Sequence, residues 1–226
     1  MNWEDEGFLL SKKKFKENAN IINVFTNSFG KVSGIVYGGN SRKIKNYLQI
    51  SNKIFVIYNS KNQNKVGYFK TELVEAISPR YFNNKKKTTA LLALTSVLNS
   101  LLPEYQTHKN IYNTLCNLIK NFDNDDWVIY YVYWELNLIK ELGFDTNLSK
   151  FNKNNIKDNQ VINLEIDGTK YQIPTFLIKN TKIENVKKNH LKKALNFTRS
   201  MMLNKFFIPN NLNFPKSRVL LENYFN

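Results

Sequence analysis

The sequence predicts an α+β chain: a small antiparallel β-barrel, then a mainly α-helical region with a small β-hairpin insertion. Three observations carry this. Five extended apolar segments fall before Pro79, separated by polar and glycine-bearing turns. After Pro79 the apolar spacing turns helical. Near the end of the chain, Asp167-Gly168 sits between two alternating segments, which is a hairpin signal. The predicted domains are residues 1–79 and 80–226, with the hairpin near 161–174.

The elements follow in order. Gly7-Phe8-Leu9-Leu10 is a short apolar run, and Asn20 to Thr26 is rich in β-branched residues. Lys31 to Tyr37 alternates, with Val32, Gly34 and Val36 on one face. A glycine- and arginine-bearing loop follows, and Tyr47 to Tyr58 and Val66 to Ile77 are the last two extended segments, joined by a polar loop at Asn59 to Asn64. Thr88 to Leu102 and His108 to Phe122 have helical spacing. The acidic cluster Asp123 to Asp126 leads into an apolar helix from Trp127 to Leu142 and reads as its cap, with Gly143 as its C-terminal stop. Trp127 and Trp134 lie seven apart on one face and read as core. Residues 150–160 are polar and read as a loop. Leu164 to Ile166 and Lys170 to Ile173 form the hairpin. A long basic helix is expected over Glu184 to Phe206 and a last one over Arg218 to Phe225.

Composition narrows the function. The 226 residues are 42% hydrophobic and 23% charged, as in a folded globular chain. The longest apolar stretch, Val128 to Leu142, is interrupted by Glu135, Asn137, Lys140 and Glu141, so no membrane span is expected. The acidic start, Asn2-Trp3-Glu4-Asp5-Glu6, does not fit a secretory signal, and a cytoplasmic protein is expected. The lone Cys116 allows no internal disulfide and no multi-cysteine zinc site; it reads as a small core residue.

The net charge is +15, with 29 lysines, 4 arginines and 36 asparagines. Lysine and asparagine rising together is the mark of AT-rich coding, so distribution is the better test. Residues 1–80 carry 13 basic and 6 acidic side chains, residues 81–160 carry 9 and 8, and residues 161–226 carry 11 and 4. The charge avoids the middle of the chain, as expected of a polyanion-binding surface rather than a coding bias.

No catalytic pattern stands out. His108 and His190 lie near no serine or cysteine at a nucleophile–base spacing and read as surface residues. Neither a phosphate-loop nor a dinucleotide fingerprint is present, so no cofactor is expected. A binding pattern does stand out. Lys12-Lys13-Lys14 and Lys16 precede the second strand, Lys31 follows the Gly30 turn, and Arg42, Lys43 and Lys45 follow Gly38-Gly39. A small barrel brings such segments to one side, where lysine and arginine supply sequence-independent phosphate affinity. Phe15 and Tyr37 lie among them and suit either base stacking or packing.

These residues resemble the RecO family of bacterial recombination mediators over nearly the whole chain. The segments EGFLLS, VFTNSFGKVSGIVYGGNSRK and YLQ resemble that family's N-terminal OB-fold domain. YYVYWELNLIKELGFDTNLSKF resembles its helical-domain signature, and KSRVLLENYF its ending. WEDEG and LLPEYQTHKNIY are closest to alphaproteobacterial members.

The resemblance implies a non-enzymatic protein that binds single- and double-stranded DNA and anneals complementary strands. With RecR it would help load RecA onto DNA coated by single-strand-binding protein, whose acidic C-terminal tail it would contact. The chain departs from the family at three points. Phe151 stands where a zinc-ligating cysteine often occurs, so no zinc site is expected; Lys16 replaces a usual glycine; and Tyr37 replaces a usual basic residue. The expected DNA contacts are Lys12, Lys14, Lys31, Tyr37, Arg42, Lys43 and Lys45, with Arg199, Lys205 and Arg218 as weaker candidates. An RNA-binding OB protein, a DNA-processing nuclease and a scaffold with coding-bias charge are the alternatives.

Overall fold

The structure is a computed structural model that describes residues 1–39, 41–60, 66–148, 151, 157, 160–179 and 186–225. The expected polar loop at 61–64, most of the stretch 150–160 and the expected helix start at Glu184 lie outside the described residues. Two compact units form, one from Met1–Tyr112 with Pro215–Leu221 and one from Asn113–Phe214 with Glu222–Asn226.

In the first unit, strands β1 (Asn2–Lys16), β2 (Ala19–Thr26), β3 (Gly30–Tyr37), β4 (Lys53–Asn59) and β5 (Gly67–Glu75) close a barrel in the order β1-β2-β3-β5-β4. Helix α1 (Arg42–Tyr47) lies between β3 and β4. All pairings are antiparallel except β3 with β5, which closes the barrel in parallel through Gly34 and Ile35. That topology is an OB-fold. Alternation explains the core. Ile22 and Val24 of β2, Val32 and Val36 of β3, Ile54 and Val56 of β4 and Phe69 of β5 point inward and are essentially inaccessible. Trp3 stacks on Phe29 at 4.1 Å and on Tyr58 at 4.9 Å against the same core.

Two local expectations change. β1 is 15 residues long and pairs with β4 through its first half and β2 through its second. Lys12 to Lys16 therefore belong to a strand rather than to the approach to one. Residues 42–47 form a helix where a loop and a strand start were expected. Its apolar residues Ile44, Tyr47 and Leu48 follow i, i+3, i+4 spacing and face the barrel core.

Helix α2 (Lys85–Leu101) completes this unit, after a 3-10 turn at Ser78–Tyr81. Asn84 caps α2 by accepting from the Lys87 N–H at 3.1 Å. The chain after α2 straps the β2–β3 turn: Tyr105 N–H donates to Lys31 O at 2.9 Å, and Thr107 Oγ1 to Ser28 O at 3.0 Å. Gly30, at φ +70°, lies under this strap, and a Cβ there would stand 2.0 Å from the Gln106 carbonyl oxygen. Gly30→Ala is expected to cost about 2 kcal/mol, from a left-handed backbone plus displacement of the strap. A lowered urea midpoint with an unchanged slope checks this.

Helix α3 (Lys109–Lys120) leads into the second unit, which holds α4 (Trp127–Glu141), hairpin β6–β7 (Val161–Ile166 and Thr169–Pro174), α5 (Phe176–Lys179) and α6 (Lys188–Met202). The hairpin turns on Asp167 and Gly168, both at positive φ. Trp127 and Trp134 are core, as read. Helix α4 ends as expected at Gly143, with Gly143 N–H donating to Lys140 O and Phe144 N–H to Ile139 O, a Schellman motif. Its start differs from expectation: Asp126 holds the cap position without a side-chain cap bond. Buried Glu135 accepts from Thr198 Oγ1 of α6 at 2.6 Å. Helix α6 passes into a π-helical turn at Leu203–Phe207, and α7 (Lys216–Asn223) ends the chain's regular structure.

Cys116 is half-buried rather than core. His190 is also not a surface residue; it is 9% exposed on α6. Burial lowers its pKa below the usual value of 6.5, and Lys187 and Lys193 lower it further. The folded state thus favours neutral imidazole. The stability this contributes is present above the unfolded pKa and is lost as pH falls through the depressed folded value. Wild-type stability is expected to decline below about pH 6.5, and His190→Gln to remove part of that decline, as read by urea midpoints across the range.

Candidate nucleic-acid interface

Short helix α1 is held onto the barrel from several directions. Gly38 N–H at the end of β3 donates to Asn18 O of the β1–β2 turn at 2.7 Å, and Ser41 N–H donates to Gly38 O. Tyr47 Oη donates to Thr71 O on β5 at 2.6 Å. Asn52, fully buried, donates to Tyr47 O at 2.9 Å and accepts from the N–H groups of Ile77 and Ser78, each at 2.9 Å. With Ile44, Tyr47 and Leu48 turned inward, Arg42, Lys43 and Lys45 are left exposed.

β1 brings further cations to this helix. Lys12 Nζ donates to Leu48 O, at the C-terminal end of α1, at 2.7 Å. Burial lowers the Lys12 pKa, and the charge of Lys45 lowers it further. The second effect places the Lys12 and Lys45 ammonium groups within electrostatic reach, a local positive potential that an anion would relieve. Lys14 lies two residues on along β1, on the same face, opposite Asn20, and is exposed. Lys12, Lys14, Arg42, Lys43 and Lys45 thus gather around α1.

Other expected contacts sit differently. Lys31 is 9% exposed, and its Nζ donates to Asn99 O at 2.8 Å. Burial lowers its pKa, while Glu104 acts in the opposite sense. Its cation is engaged beneath α2's end rather than offered to solvent. Arg218 is fully buried in the first unit. In the second unit, Arg199 pairs with Glu222 at 3.0 Å and Lys205 with Asp167 at 2.6 Å.

Tyr37 ends β3 and is 62% exposed, and Phe15 on β1 is 45% exposed. Two residues of the barrel near these side chains were not singled out from the sequence. Asn52 carried no signal, since a lone asparagine in an asparagine-rich chain is indistinguishable from a surface one. Tyr68, the outward neighbour of inward Phe69, was legible in the alternation of β5.

Profile comparisons agree with this architecture. The family model described as "Recombination protein O N terminal" matches residues 1–77, and "Recombination protein O C terminal" matches residues 84–210. The chain belongs to the RecO family.

Curated RecO relatives carry the name DNA repair protein RecO. That of Wolbachia sp. subsp. Drosophila simulans (strain wRi) is 31% identical over 162 residues, covering 70% of this chain and 66% of the relative. That of Ehrlichia chaffeensis is 32% identical over 161 residues, covering 70% and 65%. That of Roseobacter denitrificans is 32% identical over 145 residues, covering 64% and 60%. The chain thus spans 60–66% of the length of these RecO relatives. Among solved structures, Entamoeba histolytica asparaginyl-tRNA synthetase aligns with 96% of this chain and 60% of its own, at a TM-score of 0.29 and 10% identity, too low to carry an argument.

Proposed function

We propose that this RecO-family chain is a DNA-binding recombination mediator that acts without catalysing a reaction. It binds single- and double-stranded DNA, anneals complementary strands and, with RecR, helps load RecA onto strands coated by single-strand-binding protein. Contact with that protein's acidic C-terminal tail belongs to the same reading, as does a cytoplasmic, nucleoid-associated location. Among the described residues no helix is long and apolar enough to cross a membrane, and no group of acidic, histidine and cysteine side chains could hold a metal ion.

The observation that carries the proposal is the gathering of Lys12, Lys14, Arg42, Lys43 and Lys45 around α1 of an OB barrel, with Lys12 and Lys45 sharing one electrostatic environment. OB barrels commonly bind oligonucleotides, and clustered cations bind phosphates without reading sequence. Residues 1–79 serve as the DNA-binding domain and 80–226 as the helical domain. Arg199 and Lys205 would join the interface only by exchanging carboxylate partners for phosphates. Lys31 and Arg218 are buried and lie outside this proposal.

Competition between matched single-stranded DNA and RNA tests the nucleic-acid class; preferential retention of DNA is expected, and preference for RNA would favour an RNA-binding role. Labelled DNA incubated with magnesium is expected to keep its strand length, whereas shortening would point to a nuclease.

A further inference from the structure

A second feature lies on the outer face of the barrel. Strand register aligns Lys13 of β1, Ile21 of β2, Ile35 of β3 and Tyr68 of β5 in one row. Opposed residues share a face, and the inward neighbours Ile22, Val36 and Phe69 are buried, so this row points outward. Tyr37, two residues beyond Ile35, points the same way. The Tyr37 and Tyr68 ring centroids are 6.5 Å apart, with their planes tilted by 57°.

Tyr37 is 62% and Tyr68 39% exposed, and neither hydroxyl has a hydrogen-bond partner among the described residues. Ile21 and Ile35 form a half-buried apolar floor beside them. Exposed Lys13 flanks the row, and exposed Lys70 lies two residues beyond Tyr68 on the same face. An apolar floor, two accessible rings and flanking cations match unpaired bases on a phosphate backbone. A duplex offers only the backbone, because its bases are stacked on one another.

We propose that Tyr37 and Tyr68 form a base-stacking platform that favours single-stranded over double-stranded nucleic acid. The inference rests on the nucleic-acid-binding reading and deepens it: the cations around α1 hold phosphates of either form, and the platform holds bases.

The test uses the full chain, its Tyr37→Ala/Tyr68→Ala variant and its Tyr37→Phe/Tyr68→Phe variant. Each is titrated with labelled oligothymidylate, an abasic strand of equal length and a duplex. The alanine variant is expected to lose roughly fivefold to a hundredfold in affinity for oligothymidylate. Its binding of the abasic strand and duplex is expected to match wild type. The phenylalanine variant keeps both rings and is expected to bind like wild type, which separates stacking from hydroxyl contacts.

Unchanged oligothymidylate binding by the alanine variant would overturn the platform, as would equal losses on the abasic strand. Wild type binding base-bearing and abasic strands equally would overturn the platform and leave the phosphate surface standing. Failure of wild type to bind any strand would overturn both.

Discussion

Replacing Arg42, Lys43 and Lys45 together with alanine is expected to lower affinity for single-stranded DNA by on the order of tenfold or more at physiological salt. The slope of log K against log salt should flatten by about 2, because each lost phosphate contact on a single strand removes about 0.7. The fold should survive. All three side chains are exposed, and α1 is anchored by Ile44, Tyr47 and Leu48 on its opposite side. The Lys12 pKa should also rise part of the way toward its ordinary value, since Lys45 is one of the two causes of its depression. An unchanged salt slope would remove α1 from the interface.

Asn52→Ala is expected to be the most damaging single substitution near the site. Asn52 is inaccessible to solvent, and its side chain satisfies three backbone groups: Tyr47 O, Ile77 N–H and Ser78 N–H. Truncation leaves two donors and one acceptor without this partner, at about 1–3 kcal/mol for each buried group left unsatisfied. A total of about 3–5 kcal/mol is expected after partial relaxation. The three contacts also tie the end of α1 to the exit of β5. The variant should therefore lose DNA affinity at temperatures where the barrel remains folded. Thermal unfolding followed by near-ultraviolet circular dichroism, with DNA titration below the transition, measures both effects. Wild-type stability in the variant would show that Asn52 does not organise this end of the barrel.

What was legible depended on how local the cause is. The barrel strands were readable because inward residues such as Val32, Val36, Ile54, Val56 and Phe69 alternate with outward ones, a pattern contained in each strand. The full length of β1 was hidden. Lys12-Lys13-Lys14-Phe15-Lys16 has no apolar alternation, and its strand geometry comes from pairing with Ala19 to Ile22. Helix α1 was hidden for a related reason. Six residues are too few for helical periodicity to emerge or for an isolated helix to persist, and α1 is held by distant groups on β1, Asn52 and β5.

The candidate site shows the same division. Arg42, Lys43 and Lys45 were found because they cluster in sequence. Lys31 has the same chemistry and sits on a strand, but Asn99 and Glu104, far along the chain, enclose it. Nothing within β3 signals that covering. Arg218 lies in a basic, helix-patterned tail and is nevertheless buried, which its local sequence does not signal. Tyr68 was present in the alternation of β5, and only the β3–β5 register, Ile35 opposite Tyr68, brings it to Tyr37.

The most direct measurement is the annealing rate of complementary strands precoated with their single-strand-binding protein, taken without the chain, with it, and with the Arg42/Lys43/Lys45 alanine variant. The chain is expected to accelerate annealing, and the variant to restore most of the delay seen without the chain, with strand length unaltered. Equal rates with and without the wild-type chain would contradict the account.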